Sequence, residues 1–157
     1  MDDSWTTTLS LDAVEIFTIT TGMDAIRTVY RPVLYLGCQQ GYLMQVCVYS
    51  GGTKFARIGD LTWGEWDEGE SLKASLRYRV GDKPAESADL HLAKNKATAW
   101  FENNVEIIRD LRGASRMLVE VDVVPGFSGR QQVLMTFDTR GLEHHLPLLT
   151  KHCPGQL

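Results

Sequence analysis

The feature that most constrains this chain is its punctuation. Turn-forming residues recur at short intervals: Gly41, Gly51-Gly52, Gly81-Asp82-Lys83-Pro84, Asn95 and Pro125-Gly126-Phe127-Ser128-Gly129. The segments between them are rich in Val, Thr, Ile, Tyr and Leu. Short runs of that composition between turn residues read as antiparallel strands joined by short loops. The strands expected are 5–11, 14–20, 32–39, 42–49, 74–80, 86–92, 96–101, 116–124 and 131–138. Residues 32–49 are apolar at both parities, so this pair is expected to be central, with both faces covered. Leu76-Arg77-Tyr78-Arg79-Val80 alternates apolar with basic, which turns one face to solvent. The segment 131–138 alternates too, with Val133, Met135 and Phe137 on one face.

Two segments carry helical spacing instead. Over 103–112, Val105, Ile107, Ile108 and Leu111 share a face. Asn103 is the expected N-cap, with Glu106 as its capping-box partner. Arg109 and Arg112 suit the negative end of the helix dipole, and Gly113 is a natural terminator. Over 140–152, Leu142, Leu146 and Leu149 form a stripe that Cys153 continues. Pro147 either starts that helix or kinks it. The fold expected is mainly β: an antiparallel β-sandwich or barrel-like sheet with two short helices, as one domain over 1–157. A chain of 157 residues buries roughly 68–70% of its unfolded surface, enough to hold such a fold without staples.

Charge and motif content narrow the function classes. The net charge is −4 and the pI about 5.5. Lys and Arg are scattered, so nucleic acid is not an expected partner. No apolar run reaches the ~18 residues of a membrane span. Residues 1–20 are acidic and Thr-rich, without the basic start of a signal peptide. The chain is expected to be cytoplasmic if Met1 is native, and periplasmic if a leader was removed. The phosphate-cradling glycine motifs are absent. His144, His145, His152 and Cys153 have zinc-ligand chemistry, but adjacent histidines on a helix point about 100° apart, and no metal or cofactor is expected. Cys38 or Cys47 as a nucleophile would need His91 beside it. Both lie in the most apolar stretch, where a thiol is inert. Ser128 lacks the full nucleophile-elbow pattern and reads as a hairpin loop.

The three cysteines, Cys38, Cys47 and Cys153, form no C-x-x-C pair. Either all are small buried side chains, or two are bridged and one is free. The leucine stripe turns Cys153 toward the sheet, which makes a partner cysteine on a strand geometrically possible; Cys38, at the end of a central strand, is the candidate. The most distinctive surface segment is 60–72, where Trp63 and Trp66 stand among Glu65, Asp67, Glu68 and Glu70. Tryptophan anchors binding hot spots and charge steers encounters, so Trp63, Glu65, Trp66, Asp67 and Glu68 are the expected partner contacts. Carboxylates of a sugar-cleaving site, or plain core packing of the tryptophans, are the competing readings.

Several motifs occur in a familiar order. Arg31-Pro32-Val33-Leu34-Tyr35-Leu36-Gly37-Cys38, Leu76 to Pro84, residues 105–121, Phe137 to Leu142, and Leu148 to Cys153 resemble successive motifs of the type VI secretion-associated TagO/VasI-like domain family. The order and spacing agree over about residues 31–153. The resemblance implies a β-sandwich-like or barrel-like domain, an accessory role near a secretion apparatus in the cell envelope, and no catalytic residues. It also supports Cys38 with Cys153 as a disulfide, since both match the family's cysteines. The chain departs from the family in lacking its leader and its additional Cys-containing N-terminal segment, and 51–70 does not align. The expected function is a non-catalytic accessory domain acting through a protein partner. The alternative is an inhibitor, encoded by a phage or mobile element, that blocks a host complex.

Overall fold

A strand with apolar residues at every second position has one face to bury. Strands of that kind can bury all those faces together if their sheet closes on itself. A computed structural model describes residues 5–19, 23–24, 31–39, 45–56, 73–124 and 130–152. Its elements, in chain order, are β1 (Trp5–Thr18), β2 (Met23–Asp24), β3 (Val33–Gln39), β4 (Gln45–Tyr49), β5 (Lys54–Phe55), β6 (Lys73–Val80), β7 (Glu86–Leu92), β8 (Thr98–Trp100), α1 (Asn104–Leu111), β9 (Arg116–Val124), β10 (Gln131–Asp138), a 3-10 turn at Leu142–His144, and α2 (Leu146–His152). The wall runs β10, β1, β3, β4, β8, β7, β6, β9, and β9 pairs back to β10. Eight antiparallel strands thus form a closed barrel with two short helices, which settles the expected sheet as a barrel rather than a sandwich.

Inward positions follow the alternation. Ala74, Leu76, Tyr78 and Val80 on β6, Met117, Val119, Val121 and Val123 on β9, and Val133, Met135 and Phe137 on β10 all enter one core. Their neighbours on the outer face include Arg77, Arg79, Glu120 and Leu134. Leu34, Leu36, Cys38, Val46 and Val48 are buried inward, as expected; on the outer face Cys47 is buried, while Val33, Tyr35 and Tyr49 are half-buried.

The expected strands 5–11 and 14–20 are a single strand. β1 pairs with β3 over Trp5–Asp12 and with β10 over Ala13–Thr18, with an irregularity between Ala13 and Glu15. Leu9, Leu11 and Ala13 pack against the core, then Ile16 and Thr18 are buried. The inward parity slips by one at Val14. A β-bulge produces that slip without ending the strand. A change of phase looks like a chain break in the sequence, which is why two strands were expected.

Both helices sit at one end of the barrel, because β8 runs up into α1, α1 leads into β9, and β10 ends in the turn before α2. There β8 stops at Trp100, and the chain beyond it continues the pairing with β4. Phe101 N–H donates to the Val46 carbonyl at 3.0 Å, and Asn104 Oδ1 accepts from Val46 N–H at 2.9 Å. Ile107, Ile108 and Leu111 then close that side of the mouth. β1 outruns β10 by its first residues, and α2 packs on β1 with Leu146 and Leu149 buried. At the opposite end β5 pairs with the last residues of β9, while Phe55 N–H donates to the Lys96 carbonyl of the β7–β8 turn at 2.8 Å. The buried Phe55 plugs that end. β5 is too short to leave a periodic signature, and the sequence reading missed it.

The cap of α1 is not the expected one. Asn103 makes no side-chain cap bond; its Nδ2 donates to the Tyr78 hydroxyl at 2.8 Å, which donates to Glu86 Oε2 at 2.8 Å. Tyr78 also stands edge-on to Phe101, with ring centroids 5.3 Å apart. A buried phenol must be satisfied, and that demand outranks the cap. Gly113 does end the helix in the left-handed region, with φ +74. The 140–152 segment is a 3-10 turn followed by α2, with Pro147 in the first turn of α2, where its missing N–H costs nothing.

Candidate functional site

An eight-stranded barrel is just wide enough to be filled by its own side chains or to hold one small ligand. Here Phe55, Phe101, Phe137, Leu34, Leu36 and Met135 are among the large side chains fully buried inside it. Among the described residues these side chains join one continuous core, and the candidate site is on the outer surface.

The outer face of β1 stands out. Val14 is 59% exposed, Phe17 38% and Ile19 38%, and these are three of the four large exposed apolar side chains among the described residues. The bulge explains the first: Val14 is the extra residue, so it has no inward position to take. Phe17 is outward because Ile16 and Thr18 are inward. Leu134 of β10 lies directly across from Phe17, and half-buried Leu134 extends the apolar surface. The same register row continues to Glu120 on β9 and Arg77 on β6, and on the other side to Asp24 on β2. Glu15, exposed, is next outward on β1 above Phe17.

A polar notch borders this face. It encloses about 200 Å³ where β5 wedges beside β6, and Arg77, Glu120, Asp122, Arg130 and Gln132 line it. Its charges are largely spent on one another. Arg130 donates to Asp122 at 3.2 Å, and Gln132 Nε2 donates to Glu120 Oε1 at 2.6 Å. Arg77 stands opposite Glu120 in the sheet. The notch thus forms a neutralised flank to the apolar patch.

No family model, curated protein or solved structure matches the chain.

The expected contact residues Trp63, Glu65, Trp66, Asp67 and Glu68 lie outside the described residues. Cys38 is disulfide-bonded and buried, on the inner face across from Thr7. Cys47 is a free, buried thiol. The chain's third cysteine, Cys153, lies outside the described residues. Ser128 and its loop do too.

The nucleophile reading fails on geometry. Trp100 pairs with Cys47 on one side and with His91 on the other. The two are therefore two strands apart, about 10 Å by strand spacing, with an indole between them. Burial also pushes the Cys47 thiol up to about 12, and a protonated thiol is no nucleophile. His91 Nε2 instead meets Glu102 Oε1 at 2.6 Å on the exposed outer face. Among the described residues no three His, Cys, Asp or Glu side chains converge as metal ligands. His144 and His145 are exposed near the start of α2. A shallow groove there is lined by Arg112, Glu143, His144, Leu146 and Pro147.

The sequence reading missed Val14, Phe17 and Ile19. The signal was present: Val14, Ile16, Phe17 and Ile19 are apolar at both parities, in a strand that nothing else marks as covered on both faces. Read as a half-buried strand, that pattern leaves exposed apolar residues, which on a soluble surface mark interaction sites.

Proposed function

We propose that this barrel is a binding domain that acts through a protein partner docked on the outer face of β1. One observation carries the reading: the exposed large apolar residues Val14, Phe17 and Ile19 share that face, beside Leu134. Scattered exposed apolar residues are ordinary, whereas a contiguous group is a feature of interfaces. The test is affinity capture from the source cells with the wild-type chain and with a Val14→Ser, Phe17→Ser double variant. A partner enriched by the wild type and lost from the variant supports the proposal. Equal enrichment overturns it.

Two settings fit such a domain. An accessory protein of a secretion apparatus in the cell envelope is favoured by the ordered motif resemblance over residues 31–153 and by the bridged Cys38, since disulfides persist in oxidising compartments. The second, an inhibitor encoded by a phage or mobile element, is favoured by the acidic Trp63–Glu70 segment, which suits a blocking contact. Unfolding the protein from its native source without reductant in the presence of an alkylating reagent, then mapping its thiols, separates the two. Bridged Cys38 with Cys47 alone alkylated favours the envelope, and three alkylated cysteines favour the inhibitor.

A further inference from the structure

The charges around the β1 patch say what kind of segment it fits. Glu15 is exposed on the same outer face, one outward position from Phe17, and Asp12 is exposed further along the strand. Asp24 occupies the register position across from Phe17 on β2. On the opposite flank Arg130 pairs with Asp122 and Arg77 occupies the register position facing Glu120, so the formal charges there sum to zero. The apolar centre therefore has the exposed carboxylates of Asp12 and Glu15 along β1, and toward β9 a flank whose charges offset one another. Resting on the reading that this face is the docking face, we propose that it takes a protein segment whose apolar side chains are flanked by lysines or arginines.

Complementary charge at a rim guides the approach and rejects wrong partners, while the apolar centre supplies affinity. The same charges argue against two other occupants. A second copy would set Glu15 near Glu15 across a twofold axis, between molecules that each carry a net charge of −4. An anionic membrane surface would meet carboxylates instead of the lysines and arginines that such surfaces attract.

The test uses the full chain with two synthetic probes, one a short peptide alternating Leu with Lys and the other alternating Leu with Glu, followed by fluorescence anisotropy at low and high salt. The wild type is expected to bind the Leu–Lys peptide at least roughly tenfold more tightly than Val14→Ser, Phe17→Ser does. Glu15→Lys is expected to weaken it roughly two- to fivefold, with a smaller salt dependence than the wild type. Glu143→Lys, on the helix end, is the control for general charge attraction and is expected to leave the Glu15 contribution intact. All three variants are at exposed positions, and unchanged thermal melts verify that they fold. Equal binding of both peptides overturns the charge assignment. So does Leu–Lys binding that ignores both Val14→Ser, Phe17→Ser and Glu15→Lys. Dimerisation of the wild type that the double variant abolishes, or binding to anionic phosphatidylserine vesicles that it abolishes, would replace the proposal with the corresponding occupant. If captured partner is lost with Val14→Ser, Phe17→Ser while the Leu–Lys peptide ignores them, the docking face stands and only the basic-segment inference fails.

Discussion

Single residues in this barrel are held by demands that differ sharply in kind. Gly51 has φ +81, and a Cβ there would lie 2.0 Å from the Arg31 carbonyl carbon. That backbone cannot move away, because Arg31 N–H donates to the Gly51 carbonyl at 2.8 Å. Gly51→Ala combines a left-handed strain of about 1 kcal/mol with that clash, and the loss expected in denaturant unfolding is larger than the strain alone. Asn104→Ala leaves the Val46 N–H without its acceptor and is expected to cost ~1–3 kcal/mol by the same measurement. Val14→Ser, at a mostly exposed position, removes little buried surface and should stay within about 0.5 kcal/mol of wild type. Asp138 answers to charge. Side-chain and backbone hydrogen bonds from Arg140 hold its carboxyl at about 2, below the ordinary 3.8. Its folded form is the stronger acid, so its contribution is present above the ordinary value and is lost as pH falls through 3.8 toward about 2. Asp138→Asn is expected to flatten that acid limb of the stability–pH profile. Cys47 works in the other direction: burial raises it to about 12, so a thiol reagent at mildly alkaline pH should label it only after unfolding.

Elements show where sequence patterns speak and where they fall silent. β6, β7, β9 and β10 match their expected spans within a residue, because each carries an alternating inward set bounded by turn residues. α1 is legible from Ile107, Ile108 and Leu111, yet its cap is not, since Asn103 is recruited by Tyr78, a partner 25 positions away. β1 was legible as two pieces only: a bulge looks the same as a break until the neighbours on both sides are known. β5 could not be read, because two residues carry no period and Lys54–Phe55 is a strand only by virtue of β9. Phe55 is the test at this scale. If it plugs the end of the barrel, Phe55→Ala should cost ~3–5 kcal/mol, comparable to a central core phenylalanine such as Phe137. A loss under about 1 kcal/mol would mean that β5 is a peripheral appendage.

For the molecule as a whole, the barrel class was legible because so many short alternating segments have only a sandwich or a barrel to enter. Closure was not, since the β10–β1 pairing that completes the ring joins strands from the two ends of the chain. The functional face was the least legible part. The sequence drew attention to Trp63 and Trp66, whose residue types are conspicuous. Val14, Phe17 and Ile19 are ordinary residues made unusual by a bulge and by the outward parity that follows it. The account's central claim is that the protein works through that outer face of β1. The most direct measurement places a photo-crosslinking amino acid at Phe17, and in a parallel variant at Leu148 on α2, and irradiates both in the source cells. The account expects a discrete crosslinked partner at Phe17 and none shared with Leu148. The same product from both positions, or one from Leu148 alone, would contradict it.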